Sequence, residues 1–550
     1  MGYLEVGVTL AAIPSRWDRV ADVVVVGGGN AGLPAAIVAH DNGADTVIVE
    51  SNEFLGGLMR GSGGFMFFCC THIQEQLGIE DRVEWGVEDE LILSDFRAVP
   101  ELVRAYVEEG AQTCQWLEDL GLTWAQDVRD GQFGTGVRGG RSVARTHFAA
   151  VSPSGYYPGG APDGQNGHAV TVVLEKAVEQ RKIPVLYRHR MVQIYREPGG
   201  AVVGIRAATP DGEVDIRARR AVILASGGAT TNEQLVKAWD PRLVNDAVYS
   251  DGVPYMTAMG DGLIAAEDIG AGLSDMSFVC YTPVRYGTHY YSLSLSKIAG
   301  EENIGPRTGV PVNAAADAYQ RIILVANDGR RYINEATAAY RNPRLVRDVA
   351  SLPPAEYPEE PFMYTFLSLP NPKNVWAVAD SDSATAMKWP IDEIKAPDPM
   401  HGRALHPDSV AWADTIDELA EKIGVDVANM VATVRDYNKY AESGTDLDFG
   451  KPAPFSPIAA APFYAAKFNI IRHTPAGGLR ANSKGQVLDR SQMWDGSSAV
   501  SIDAEKVIPH LYAAGEVAAF VGFRRAHRKT GPIFSMGRIC GRQAAAERPL

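Results

Sequence analysis

Along this chain the spacing of apolar positions changes several times, and each change predicts an element. Val23–Val26 is an unbroken β-branched run, the pattern of a strand buried on both faces of a parallel sheet. An alanine-rich stretch after Gly32 reads as a helix and DTVIVE at 45–50 as the next strand, which together predict a βαβ unit. Residues 99–121, VPELVRAYVEEGAQTCQWLEDLG, carry helical spacing. Residues 184–225 instead alternate through the short runs IPVLYRH, MVQIYRE, AVVGIRA, EVDIRAR and AVILA, a β-meander returning to the parallel sheet.

Residues 272–316 are rich in Tyr, Ser and Gly and read as loops. From 317 the texture changes to a strand (RIILVAN), a proline-rich stretch near 352–372, and two helical segments, TIDELAEKIG and VANMVATVRDYNKYAESG. Glycine-rich motifs of the first kind resume at 471. At 550 residues the chain exceeds what one ordinary core accommodates. The expectation is an α/β protein: a Rossmann-like domain of residues 18–316 plus 471–550, interrupted by an inserted α+β capping domain of residues 317–470.

Composition narrows the class. With 46% hydrophobic and 22% charged residues the chain reads as globular, and a net charge of −15 argues against general affinity for nucleic acid or anionic membrane. No apolar run reaches the roughly 20 residues a bilayer span needs, and MGYLEVGVTLAAIPSRWDR places no basic leader before its apolar stretch, so a cytoplasmic location is expected. Five cysteines without a CxxC predict neither a disulfide framework nor a metal or iron–sulfur site.

Chemistry enters at residues 23–36, VVVVGGGNAGLPAA, where Gly27, Gly29 and Gly32 satisfy GxGxxG between strand and helix. The first glycine permits the tight turn, the second admits a pyrophosphate to the backbone, and the third lets helix pack on strand. Asn30 and Ala31 complete the turn, where the helix N-terminus offers free N–H groups to phosphate. Glu50, followed by Ser51, ends the second strand and is placed to take the ribose hydroxyls. The motif alone does not separate NAD from FAD. The next stretch, SNEFLGGLMRGSGGFMF, adds Gly56, Gly57, Ser62, Gly63 and Gly64, a second cluster able to lie against something large and flat.

These stretches, with ILASGGATTNEQL, MGDGLIAAEDIGAGL, DGRRYINEATAAY, RHTPAGGLRANSKGQVLD and LYAAGEV in order along the chain, resemble the FAD-dependent fumarate reductase and succinate dehydrogenase flavoprotein superfamily, including the 3-ketosteroid dehydrogenases. The resemblance implies FAD, substrate held between an FAD domain and a cap, Gly515 and Glu516 at the cofactor, the backbone near Val192 at the adenine, and Ala225 at the edge of its pocket. The surroundings of a histidyl linkage are absent around His72, so FAD is expected to be non-covalent.

The ketosteroid-like features are SGYYPGGAPDGQNG, offering Tyr156 and Tyr157; Tyr340 in NEATAAY; and GPIFSMG, whose Pro532 and Ile533 open a helix beside the flavin. Where that subfamily has a further tyrosine this chain has Arg525, the position of a carboxylate-binding arginine in fumarate reductases. His473 resembles the fumarate-type HT…GG, although HTPAGG carries one extra residue. Arg525 sits among Arg524, His527, Arg528 and Lys529, a cationic run against an acidic background, and a guanidinium fork suits a carboxylate or a developing enolate. The resemblance also puts a proton-delivering arginine of the fumarate reductases in the cap, for which Arg341, beside Tyr340, is a weaker candidate, its spacing from Glu335 not matching; His289, with Tyr290 and Tyr291, is a weaker candidate for lining the pocket.

The resulting expectation is an FAD-dependent oxidoreductase of a CH–CH bond next to a carbonyl, desaturating a cyclic or steroid-like ketone, with a small-molecule substrate and a separate electron acceptor or donor. Tyr156 or Tyr157 and Tyr340 would supply base and hydrogen bonds, and Arg525 the polarising contact. The alternative reverses the direction: reduction of an α,β-unsaturated carboxylic acid gripped by His473 and the arginines.

Overall fold

In the computed structural model the valine run is the middle of a mixed eight-stranded sheet. The residues described are 8, 10–61, 64, 66–94, 96, 98–125, 128, 143–150, 167–239, 241, 248–250, 258–276, 279–283, 320–335, 365–387, 389–397, 407–468, 470–475, 477–491, 501–519 and 530–550.

The N-terminal half contains strands β1 (Arg19–Val26), β2 (Thr46–Val49), β3 (Met66–Phe67), β4 (Thr146–His147), β5 (Val185–Leu186), β6 (Arg190–Arg196), β7 (Val202–Thr209) and β8 (Gly212–Leu224). Its helices are α1 (Gly32–Asp41), α2 (His72–Gln76), α3 (Val83–Leu93), α4 (Pro100–Asp119) and α5 (Gly167–Gln180). Strands β1, β2, β5 and β8 run parallel, and Val23–Val26 are buried on both faces as their uniform hydrophobicity requires. The meander is present as antiparallel β6–β7–β8. The long β8 then leaves it: its C-terminal half joins β1 in parallel.

The chain continues through α6 (Glu233–Trp239), β9 (Val248–Ser250), α7 (Asp261–Asp268), β10 (Leu273–Ser274) and β11 (Val279–Pro283). The last two fall in the stretch expected to be loops. Next come β12 (Ile323–Val325), β13 (Trp376–Ala379), β14 (Val410–Ala413), helices α8 (Ile416–Ile423) and α9 (Val427–Ser443), and β15 (Phe463–Lys467). Strands β12–β13–β15–β14 form a separate antiparallel sheet. Ile322, Leu324, Ala377, Ala379 and Ala466 face one apolar cluster, while Ile323, Val325, Trp376, Val378 and Ala465 face another with α8 and α9. Both faces of this sheet are therefore buried. The cluster around the large sheet draws on residues before 277 and after 478.

The C-terminal part comprises β16 (Ile470–Pro475), β17 (Gly478–Leu479), β18 (Gln486–Leu488), β19 (Val507–Ala513) and α10 (Thr530–Ala546). β19 enters the large sheet parallel to β8, giving the path β18–β19–β8–β1–β2–β5. Helix α10 packs on α1, which is buried along nearly its whole length. Methyl groups added at Gly537 and Gly541 would overlap the backbone carbonyls of Ala31 and Ala35, so the two helices meet backbone to backbone.

Candidate active site

The site is built where β1 hands over to α1. Gly27 has φ +100°, in the region only glycine adopts at no steric cost, and a methyl group there would overlap the Ala225 carbonyl. One added at Gly32 would overlap the carbonyl of Gly27, whereas at Gly29 it would meet no protein atom within 4 Å. The loop is thus closed on its protein side and open at Gly29, the glycine expected to face a pyrophosphate. Asn30 and Ala31 follow at the start of α1.

Glu50 lies just past β2, buried, and holds the loop. Its Oε2 accepts from the Gly28 N–H at 2.7 Å and its Oε1 from the Asn52 N–H at 2.8 Å, with the Ser51 hydroxyl at 3.3 Å. Burial pushes the carboxyl pKa up while these donors pull it down. A carboxylate oxygen can accept more than one hydrogen bond, so the protein donors leave capacity for ribose hydroxyls. The second glycine segment sits directly on the first: the Gly56 N–H donates to the Gly28 carbonyl at 2.7 Å, and a methyl group at Gly57 would stand 3.7 Å from the Gly29 Cα. Gly64 is buried next to β3; Ser62 and Gly63 lie outside the described residues.

Three further segments converge here. Ala225 lies under the glycine loop, and beside it the Ser226 hydroxyl is buried with no hydrogen-bond partner among the described residues. Gly515 and Glu516 form a short turn after β19, and a methyl group on Gly515 would lie 2.9 Å from the Ala31 Cβ and 3.9 Å from Ile533. Pro532 and Ile533 are buried in the first turn of α10, which begins hard against the Phe67 backbone at Gly531. The N-terminus of α1 and the first turn of α10 therefore meet at Gly515, an arrangement whose partial positive charges favour an anion. Val192 stands about half exposed on β6, an apolar surface on which an aromatic base could lie. The open loop at Gly29 and the convergent helix termini both fit an anionic dinucleotide.

Of the five expected catalytic residues, Tyr156, Tyr157, Tyr340 and Arg525 lie outside the described residues, as do Arg341 and His289. His473 falls on β16, between β11 and β9. That strand leads into β17, where Leu479 bridges to Ala518 and a methyl group at Gly478 would lie 2.6 Å from the Val517 carbonyl. The chain segment carrying His473 thus runs directly to the Gly515 turn. His72 opens α2, and its Nε2 is 2.9 Å from Glu118 Oε2.

Two buried polar networks escaped the sequence reading. In the first, Arg331 forks onto Glu335 (2.8 Å) and Asp446 (2.9 Å) between the rings of Tyr437 and Phe449, and Lys451 joins with its Nζ 3.4 Å from Glu335. Burial lowers the Lys451 pKa to about 8, against the opposing pull of Glu335. Its members fall in DGRRYINEATAAY and TDLDFGK, so the motifs were visible but their pairing across 115 residues was not. In the second, Arg145 pairs with Asp81 (2.7 Å) and Asp89 (2.5 Å) beside His147. The His147 Nε2 is 2.7 Å from the Thr71 hydroxyl and its Nδ1 2.9 Å from the Arg145 carbonyl. The carbonyl can only accept, so the proton is on Nδ1 and the hydroxyl donates to Nε2.

Comparison with known proteins decides the family, since residues 22–532 match the family described as FAD binding domain. The chain belongs to this family. It is a flavoprotein of the fumarate reductase and succinate dehydrogenase superfamily and an FAD-dependent oxidoreductase of CH–CH bonds. It is similar to a urocanate reductase of Eggerthella lenta, with 29% identity over 96% of this chain and 74% of the relative. It is similar, at 26% identity over 94% of both chains, to a 3-oxosteroid 1-dehydrogenase of Mycolicibacterium smegmatis. Among solved structures the open conformation of a flavocytochrome c3 fumarate reductase superposes with a TM-score of 0.71 at 27% identity, covering 96% of this chain and 78% of that one. No helix among the described residues of this flavoprotein is long and apolar enough to cross a membrane.

Proposed function

We propose that this flavoprotein reduces the C=C bond of an α,β-unsaturated carboxylic acid, with FAD held non-covalently and electrons delivered by a separate donor. The observation that carries the reading is the bridge from β17, which follows β16, to the chain just after the Gly515 turn; with it the HTPAGG segment and its His473 would lie toward the cofactor loops. Similarity to urocanate and fumarate reductases over almost the whole chain supports the same direction. Ketone desaturation, expected first from the sequence, has the weaker support: the oxosteroid dehydrogenase is 26% identical against 29% for the urocanate reductase, and Arg525 replaces that subfamily's tyrosine.

FAD, when bound, supplies the exchange of a hydride with a substrate carbon. The Gly27–Gly32 loop, Glu50, Gly57, Gly64, Gly515, Glu516 and the start of α10 would hold it, and Val192 would meet its adenine. His72, turned to Glu118, supports a cofactor without a histidyl bond. His473 and Arg525 would grip the carboxylate, and charge-assisted hydrogen bonds there draw electron density from the double bond. Tyr340 and Tyr156 or Tyr157 would hold the proton delivered to the carbon next to the carboxylate. Residues 317–470 would form the cap that excludes water.

Anaerobic holoenzyme reduced with dithionite tests the direction. Reoxidation by acrylate-, fumarate- or cinnamate-like acids, with KM for the acid raised by Arg525→Ala and His473→Ala, is the expected result. Reoxidation by cyclic enones alone would return the assignment to ketone chemistry.

A further inference from the structure

Arg60 lies in the short helical turn Gly57–Gly61, directly after the second glycine pair, and its side chain is buried. Its Nε donates to the Leu55 carbonyl at 2.6 Å, its Nη2 is in close contact with Glu175 on α5, and its guanidinium stands 5.7 Å from the centre of the Phe54 ring. Between these anchors is the Leu55–Gly57 segment. Leu55 fills the space where a side chain on Gly28 would be, the Gly56 N–H donates to the Gly28 carbonyl, and Gly57 faces Gly29. On its other side Gly56 is backed by Thr171 of α5 and by the Arg60 stem. One face of the segment therefore forms the wall of the dinucleotide loop while the other is fixed to α5.

We propose that Arg60 and Glu175 are positioning residues for FAD, clamping the second glycine segment onto the Gly27–Gly29 loop through α5. A surface pair at this site would contribute little, but a desolvated guanidinium is retained only where its geometry and remaining donors are well used. Here one donor fixes a backbone carbonyl next to two adjacent glycines, whose freedom would otherwise let the segment move away from the loop. The clamp touches no cofactor atom and acts by preorganising the wall, lowering the ordering cost of binding. It rests on FAD occupying the Gly27–Gly32 loop.

Full-length protein, stripped of flavin and titrated with FAD, tests this by the quenching of flavin fluorescence. Arg60→Met raises the FAD Kd roughly tenfold, the loss expected for one charge-assisted hydrogen bond. Glu175→Gln gives a smaller rise, and Arg60→Lys recovers part of the affinity because an ammonium can still reach Glu175. The thermal midpoint of flavin-free Arg60→Met falls slightly, because the Leu55 carbonyl and Glu175 lose their donor within the fold, and that of Glu175→Gln stays near the wild-type value. Unchanged Kd values in Arg60→Met and Glu175→Gln overturn the inference, as do affinity losses that track equal falls in the flavin-free midpoint. If Arg60→Met does not fold, Glu175→Gln is judged alone by the same two criteria. Wild-type protein that takes up no FAD overturns the cofactor assignment and this inference with it; normal wild-type uptake with unchanged variants overturns this inference alone.

Discussion

Gly29 and Gly32 belong to one motif yet have opposite surroundings, and giving each a methyl group separates folding from binding. At Gly32 the new atom overlaps the Gly27 carbonyl, so Gly32→Ala costs the fold about 2 kcal/mol or more by overpacking. At Gly29 it meets no protein atom, so Gly29→Ala leaves the flavin-free protein as stable as wild type and weakens FAD binding. Chemical denaturation and FAD titration of both variants check this; a Gly29→Ala variant with wild-type affinity would remove the pyrophosphate from that loop. Glycine spacing made this much of the site legible in the sequence. Ser226 directly follows Ala225 in ILASGGATTNEQL, and nothing in the sequence marks it, because an orphan hydroxyl is visible only once its surroundings are folded. The Arg331, Glu335, Asp446 and Lys451 network was hidden for the same reason, since Asp446 and Lys451 come from the chain after α9, 115 or more residues beyond Arg331.

At the scale of elements, periodicity identified β1, α1, β2, α4, the meander, α8 and α9, because each buries a face set by its own repeat. The two-residue strands β3 and β4 were not legible, since they are held by partners distant in sequence. His147 on β4 is one of those holds, tying β4 to the Thr71 cap of α2. Burial lowers its pKa from 6.5 to about 4, with His72 adding to the depression and the Arg145 carbonyl and Asp81 opposing it. A histidine kept neutral in the fold binds its proton more readily when unfolded. Its contribution is therefore fully present above pH 6.5 and lost as pH falls toward 4, of order 3 kcal/mol over that window. His147→Gln should flatten the acid limb of stability between those pH values. Equal pH slopes for variant and wild type in urea denaturation would show that other groups set it.

For the whole molecule, the apolar clusters bear on how cofactor binding is felt. The cluster around the large sheet contains β1, β2, α1, β8, β19 and α10, which also carry the cofactor loops, whereas the two clusters of the small sheet draw only on residues 322–468. A ligand stabilises the unit whose folded form binds it, by about 2.7 kcal/mol when its free concentration is one hundred times Kd. FAD bound by the Gly27–Gly32 loop should therefore raise the unfolding transition of the large-sheet unit and leave that of the small sheet in place. Calorimetry of the full chain with increasing FAD, with hydrogen exchange of β13 and β15 read against β1 and β8, distinguishes the outcomes. Protection confined to the large sheet is expected for FAD alone. If the proposed function holds, addition of an unsaturated acid should then extend protection to the small sheet, because a substrate gripped between the two units would couple their separate apolar clusters.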